Sequence, residues 1–314
     1  MFISASRRTD IPSCYSDWFY NRIKEGFVLV RNPMNFHRIS RICLAPEVVD
    51  GIVFWTKNPA PMLGRLNELR EYMYYFQFTL TPYGRDIEAN IPPKNDAILS
   101  AFKRLSDRIG ADRVLWRYDP LLISNTYSAD YHVRAFTNIA EELHGYTRKV
   151  TTSFIGEDYR GVKNNISELA LLPFPVETKI ALSSKLAGIA RDYGLTIDIC
   201  AEKLDVQKYG IGRARCIDDR LFAKLLGCNV HIDRDKAQRR ECCCASSIDI
   251  GMYNTCKNGC RYCYANYSVQ AVAENSARHN PRSQLIAGDV CAEDTISERE
   301  VQSCRDKQMR LCGI

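Results

Sequence analysis

"SSIDIGMYNTCKNGCRYCYAN", residues 246–266, is the stretch on which the fold turns. Its first part, "SSIDIGMYN" (246–254), reads as a short strand. The polar loop behind it sets Cys256, Cys260 and Cys263 at C-x3-C-x2-C spacing, and "CRYCYANYSVQAVAEN" carries that loop into a helix. Strand, loop and helix make one unit of a parallel α/β fold. Here the unit stands about fifty residues before the end of a 314-residue chain.

The same rhythm runs through everything upstream. Short β-rich runs recur: "FISAS" at 2–6, "GIVFWT" at 51–56, "YYFQFTL" at 74–80, "RVLWRY" at 113–118, "KVTTSFI" at 149–155 and "LTIDIC" at 195–200. Helices are expected between them at about 16–25, 60–72, 94–109, 128–144, 163–171 and 177–193, each long enough for a right-handed crossover between parallel strands. "FVLVRNP" at 27–33 breaks the rhythm and reads as an extra strand or extended insertion, because Pro33 discourages its continuation as a central strand.

Several runs end in polar residues: "SRRTD" after the first, "TKNP" after the second, "RYDP" after the fourth and "CAEK" after the sixth. In a parallel barrel these ends share one face, where the loops leaving the strands build the active site. Arg8, Asp10, Lys57, Arg117 and Asp119 read singly as loop caps or salt bridges as well as anything else; jointly they predict one pocket. No repeat, low-complexity run or Gly/Ser-rich linker divides the chain. Residues 1–275 are therefore expected to form one barrel domain, and the polar segment 276–314 a C-terminal extension packed on it, with a helix at about 295–308.

A hydrophobic content of 46% with 25% charged residues is that of an ordinary globular protein and excludes disordered and collagen-like classes. The net charge of +6, from 43 basic and 37 acidic residues, is too mild to imply a nucleic-acid partner by itself, though it does not rule one out. "MFISASRRTDIP" has no long apolar segment, so no signal peptide is expected. No run approaches the roughly 18 apolar residues of a membrane span, and in "RLCGI" Cys312 stands one place too late for prenylation. A cytoplasmic location with no membrane partner follows as an expectation. There thiols stay reduced, so 14 cysteines point to metal binding or catalysis instead of disulfides. Twelve of them lie at Cys200 or beyond; Cys14, Cys43 and Cys228 read as plain thiols.

In a cubane iron–sulfur cluster each of four irons usually takes one cysteine, so Cys256, Cys260 and Cys263 would leave one iron open to another ligand. Zinc favours four closed ligands and needs a fourth, such as His279 or a cysteine from 242–244. A redox C-x2-C at Cys260 and Cys263 leaves Cys256 unexplained. With Tyr262 in the aromatic place, C-x3-C-x-aromatic-C resembles the signature of the radical S-adenosylmethionine (SAM) superfamily. The resemblance implies an enzyme with a [4Fe–4S] cluster on those three cysteines. It would cleave SAM reductively to a 5′-deoxyadenosyl radical, draw electrons from a reductant such as a flavodoxin or ferredoxin, and act on an unknown substrate.

Radical SAM proteins carry this loop after the first barrel strand. The resemblance therefore implies a circularly permuted, partial TIM-like (β/α) barrel in which strand 248–252 takes first place beside strand 2–6; chain ends often lie close enough for this. The wider sequence resembles a DUF1848-like bacterial and archaeal family of unknown function, through "SASRRTDIP", "VFWTKNP", "WRYDP", "CAEK" and "DIGMYNTCKNGCRYCYAN". "WTKNP" alone is similar to an element of spore photoproduct lyase relatives.

Given that resemblance, SAM needs partners at the strand ends. Lys57 or Arg117 would pair with its carboxylate, Asp10, Asp119 or Glu202 would accept from its amine or ribose, and Tyr262 would contact adenine. The usual Gly-Gly-Glu element is not recognisable after "FISAS", where "SRRTD" stands. Cys200, Cys216, Cys242 and Cys244 form a second set of soft ligands, suited to a second iron–sulfur cluster or to zinc, or to neither if they are unconnected buried thiols. Cys243 should point elsewhere if its strand alternates, and the family resemblance favours the other four. The competing classes are a metal-stabilised binding protein, with nucleic acid as one partner, and an iron–sulfur redox protein that never binds SAM.

Overall fold

The structure, a computed structural model, describes residues 1–306. Among these the strands are β1 (Phe2–Ala5), β2 (Phe27–Asn32), β3 (Asn35–Cys43), β4 (Gly51–Thr56), β5 (Tyr74–Thr79), β6 (Val114–Leu121), β7 (Lys149–Phe154), β8 (Thr196–Ile199), β9 (Gly212–Arg213), β10 (Ile248–Asp249) and β11 (Thr295–Glu298). Eight of them form one sheet in the order β10-β1-β4-β5-β6-β7-β8-β9. Every pairing in it is parallel. β9 and β10 are its edges, and among the described residues no pairing joins them, so the sheet is open.

Both faces of this sheet are covered, which is why its strands read as nearly continuous apolar runs. The helices Ser16–Glu25, Leu99–Ile109, Ala129–Glu142 and Val176–Asp192 lie on one face. They bury Trp18, Phe102, Phe136 and Leu186 against Ile3, Phe54, Phe76 and Trp116. The alternate strand residues Phe2, Val53, Tyr75 and Leu115 meet a plug from residues 214–245 instead. Its short helix Asp219–Leu226 pushes Phe222 between Phe2 and Tyr75, with ring centroids 4.3 and 4.9 Å apart. Burying one such ring contributes about 1.5–3 kcal/mol.

The end of the chain returns to its beginning. β10 pairs with β1 at Ile3↔Ile248 and Ser4↔Asp249. The Asp249 carboxylate accepts hydrogen bonds from Ser4 Oγ (2.8 Å), Ser6 Oγ (2.6 Å) and the Arg7 amide (2.7 Å). At the opposite end of β1, Asp50 binds the Met1 ammonium together with Ser303 Oγ (2.6 Å) and the Cys304 amide (2.7 Å). Two carboxylates thus tie the late chain to β1.

Several sequence expectations need correction. The helix expected at 295–308 is not formed within the described residues: Thr295–Glu298 is β11, paired parallel to β3 at Ile296↔Ile39. Pairing with a preformed strand overrides local propensity there; residues 307–308, and Cys312 with them, lie outside the described residues. The run at 27–33, by contrast, is the extra strand expected: β2 lies outside the main sheet and pairs antiparallel with β3. The strand expected across 246–254 shortens to Ile248–Asp249. The helix expected at 60–72 breaks into Ala60–Leu63 and a 3-10 turn Leu66–Leu69, and that at 163–171 into Arg160–Asn164 and Ile166–Leu169. No helix of the described residues is long and apolar enough to cross a membrane.

Candidate metal and cofactor site

The carboxyl ends of β1, β4, β6 and β8 open onto one cavity of about 500 Å³. Both cysteine sets line it: Cys256, Cys260 and Cys263 on one wall, Cys200, Cys216, Cys242 and Cys244 on another. Its volume lies in the range of small-molecule sites.

The three-cysteine loop is held by backbone bonds to its neighbours. The Arg261 amide donates to Ile87 O (2.9 Å), the Asn90 amide to Asn258 O (3.2 Å), and Glu88 forms an isolated bridge with Cys260. Tyr15 Oη donates to Thr255 O at 2.5 Å, and Asn266 Nδ2 to Cys256 O at 2.7 Å. Gly161 packs so closely beneath that a Cβ there would stand 2.1 Å from Cys263 O. Gly259, at φ +66°, supplies the left-handed turn between Cys256 and Cys260.

Under this loop lies a buried charge network. Glu88 Oε1 accepts from Lys57 Nζ (2.7 Å), Thr81 Oγ1 (2.7 Å) and Tyr262 Oη. Lys94 Nζ stands 2.5 Å from the other carboxylate oxygen. Burial pulls the Glu88 carboxyl upward, but Lys57 and Lys94 outweigh it and hold it at about 2. Two ammoniums and one carboxylate leave a net positive charge beside Cys260. Burial pushes the Cys260 and Cys263 thiols up, and the Lys57 charge opposes it at both.

The second set is a run of touching thiols. Cys200 Sγ lies 3.5 Å from Cys216 Sγ, and Cys244 neighbours both Cys216 and Cys242. Tyr75 Oη and Gln77 Nε2 each donate to Cys216 O at 2.8 Å, pinning that residue to β5. Arg117 Nη1 donates to Cys216 Sγ at 3.0 Å, while its Nη2 pairs with Asp119. The Cys200 and Cys244 thiols, reinforced by Arg117, pull the Cys216 thiol well below its ordinary range. Hydrogen bonding from Cys244 brings Cys242 to about 6.

Of the strand-end residues singled out in the sequence, Asp10, Lys57, Arg117, Asp119 and Tyr262 line the cavity; Glu202 is not among its lining residues. Most are already engaged. Asp10 accepts from the Ser13 amide (3.0 Å), the Lys57 amide (2.8 Å) and Asn258 Nδ2 (2.9 Å), clamping three loops together. Asp119 holds Arg117 and Ser153 Oγ. Thr9 Oγ1 is different: it is buried, its residue lines the cavity, and it has no partner. His279 turns away, its Nδ1 bonded to Ile286 O at 2.7 Å. Cys243 likewise is not part of the lining, its Sγ 3.7 Å from Glu241 O.

Sequence reasoning missed Glu88, Lys94, Asp249 and Cys14. Glu88 and Lys94 sit in the loop leaving β5, the strand for which no polar motif was noted, so the strand-end rule would have led to them. Cys14 was read as a plain thiol, yet it neighbours Cys256, which pulls the Cys14 thiol below its ordinary range. Nothing in its local sequence marks this.

Comparison with known proteins adds a family. Residues 2–265 match the family described as "Domain of unknown function (DUF1848)". The chain belongs to the DUF1848 family. No curated protein matches it. Among solved structures, D-hydantoinase from a Bacillus sp. AR9 is 12% identical with a TM-score of 0.29, covering 51% of this chain and 36% of that one. Dihydropyrimidinase from Brevibacillus agri NCHU1002 is 11% identical at 0.29, covering 51% and 35%. Rhizobium etli pyruvate carboxylase is 14% identical at 0.27, covering 70% and 24%. This DUF1848 chain therefore spans about a quarter to a third of the length of those proteins, and similarity at that level carries no argument about its fold or activity.

Proposed function

We propose that this DUF1848 protein is a radical SAM enzyme of unidentified substrate, built on a circularly permuted, partial TIM-like barrel. The observation that carries the reading is the convergence of Cys256, Cys260 and Cys263 with the polar ends of β1, β4 and β6 on one cavity. The donor set fits a [4Fe–4S] cluster, since three sulfurs from one loop leave one corner for another ligand. Cys256, Cys260 and Cys263 would hold the cluster, which would supply the electron for reductive cleavage of SAM.

The chain's own residues do the positioning. Glu88 fixes Lys57, Lys94 and Tyr262 beneath the loop, and the resulting positive charge offsets the thiolates. Asp10 locks the loops after β1 and β4 to Asn258. The buried Thr9 hydroxyl has no partner beside the same cavity. The permutation draws support from β10, which lies beside β1 and leads directly into the cysteine loop.

Anaerobic reconstitution with iron and sulfide, followed by reduction and addition of SAM, should release 5′-deoxyadenosine from wild type but not from Cys260→Ala. A wild-type protein fully loaded with iron that neither binds nor cleaves SAM would overturn the reading, and leave a metal-stabilised binding protein or an electron carrier in its place.

A further inference from the structure

We infer that Cys200, Cys216, Cys242 and Cys244 hold a second, separate iron–sulfur cluster on the wall of the same cavity, and that Arg117 is its positioning residue, donating an N–H to a ligand sulfur. The inference does not rest on SAM chemistry at the other loop.

Three observations carry it. The four sulfurs come from separate segments, after β8, after β9 and from the end of the plug, yet all face one cavity, while the neighbouring Cys243 does not. Unconnected buried thiols would not be selected in this way by the direction they face. Second, they lie in a row instead of a closed knot: Cys200 and Cys216 are 3.5 Å apart, and among the described residues no three of these sulfurs lie mutually within 4.8 Å. Four sulfurs in a row along a cavity wall leave the cavity side open to a metal core of more than one atom, and the iron and zinc contents of the loaded protein decide between that core and a single zinc. Third, the set is provided with positive charge. Arg117, fully buried over the Trp55 ring at 5.2 Å, places Nη1 3.0 Å from Cys216 Sγ, and the charge of Arg7 acts on Cys242 and Cys244. Four thiolates around an iron–sulfur core make an anionic assembly, and hydrogen bonds to its sulfurs and nearby charge set its potential. With all four corners bound by protein, such a centre is a one-electron carrier and not a ligand site.

The test is the metal content of the full chain. Wild type reconstituted anaerobically should carry about eight irons and eight sulfides, and the Cys256→Ala/Cys260→Ala/Cys263→Ala variant about four of each. That variant leaves the second set untouched, and its remaining iron should give the electron paramagnetic resonance signal of a reduced [4Fe–4S] centre. In the same background Arg117→Met should shift the midpoint potential of that centre to a more negative value, and Arg117→Lys should restore part of the shift. Four irons in wild type with none in the triple variant would overturn the second cluster, and so would one zinc per chain in that variant. An unchanged potential in Arg117→Met would remove Arg117 from the assignment. Loss of SAM cleavage with eight irons present would instead sink the radical SAM reading and leave this one standing.

Discussion

The two cysteine walls of the cavity are built on opposite principles. Cys256, Cys260 and Cys263 share one short loop, fixed through its backbone by the segment after β5 and by Gly161, with its compensating charge one layer down at Lys57 and Lys94. Cys200, Cys216, Cys242 and Cys244 come from separate segments, each tied locally by backbone bonds such as Cys200 N to Thr152 O and pinned by side chains on Cys216 O and by the Phe222 plug, with Arg117 directly on a sulfur. Cys256, Cys260 and Cys263 are all partly exposed, whereas in the second set only Cys200 is, and the other three are buried. One cavity thus has an approachable wall and a closed one.

The sharpest way to break this contrast is Glu88→Ala. It leaves two buried ammoniums without their shared counterion, and removing one partner of a buried ion pair typically costs about 3–5 kcal/mol. Chemical denaturation should show a loss of that order. Iron retained by a variant lacking Cys200, Cys216, Cys242 and Cys244 should fall, while iron retained by the variant lacking the loop cysteines should stay. Equal loss at both sets would mean that the two walls are not independently supported.

Acid should also destabilise the protein, through His132. This residue is buried, bonded to Tyr118 Oη and Leu122 O, each at 2.8 Å, and set edge-on to Tyr83, which in turn meets Tyr262. Burial pushes its imidazole down to about 4. A folded state that refuses a proton accepted by the unfolded chain near pH 6.5 loses stability as pH falls through that value towards 4, by about 3 kcal/mol in all. Wild-type stability measured across this window should therefore drop more steeply than that of His132→Gln. Parallel curves would show that His132 carries no such cost.

How much of this was legible in the sequence depends on whether the cause is local. Strands such as Gly51–Thr56 and Tyr74–Thr79 announce themselves because burial on both faces demands nearly unbroken apolar runs. The loop cysteines announce themselves because one short segment carries them all. Asp249 does not: its partners Ser4, Ser6 and Arg7 lie more than 240 residues away, and only the pairing of β10 with β1 brings them together. β3 was missed because its apolar residues Phe36, Ile39 and Ile42 recur every third position, without the period of two that marks a half-exposed strand. Glu88 reads as one more surface carboxylate until the loop after β5 folds it under Tyr262.

Two glycines give the smallest effects and the finest comparison. A Cβ at Gly161 would stand 2.1 Å from Cys263 O and 2.7 Å from Asn266 O, both backbone atoms of the loop. A Cβ at Gly51 would stand 2.2 Å from the Phe222 ring, a side chain wedged between Phe2 and Tyr75. Overpacking of either kind costs about 1–3 kcal/mol, so Gly161→Ala and Gly51→Ala should be similar in stability by thermal unfolding. They should part in function. Gly161→Ala moves the backbone that aims Cys263, so it should depress 5′-deoxyadenosine formation well beyond its loss of stability. Gly51→Ala presses on the plug behind the other wall, so its effect should follow stability alone and be relieved by Phe222→Leu. Matching losses of activity in both would mean that the cavity responds as one body, and that the division between its walls is geometric without being mechanical.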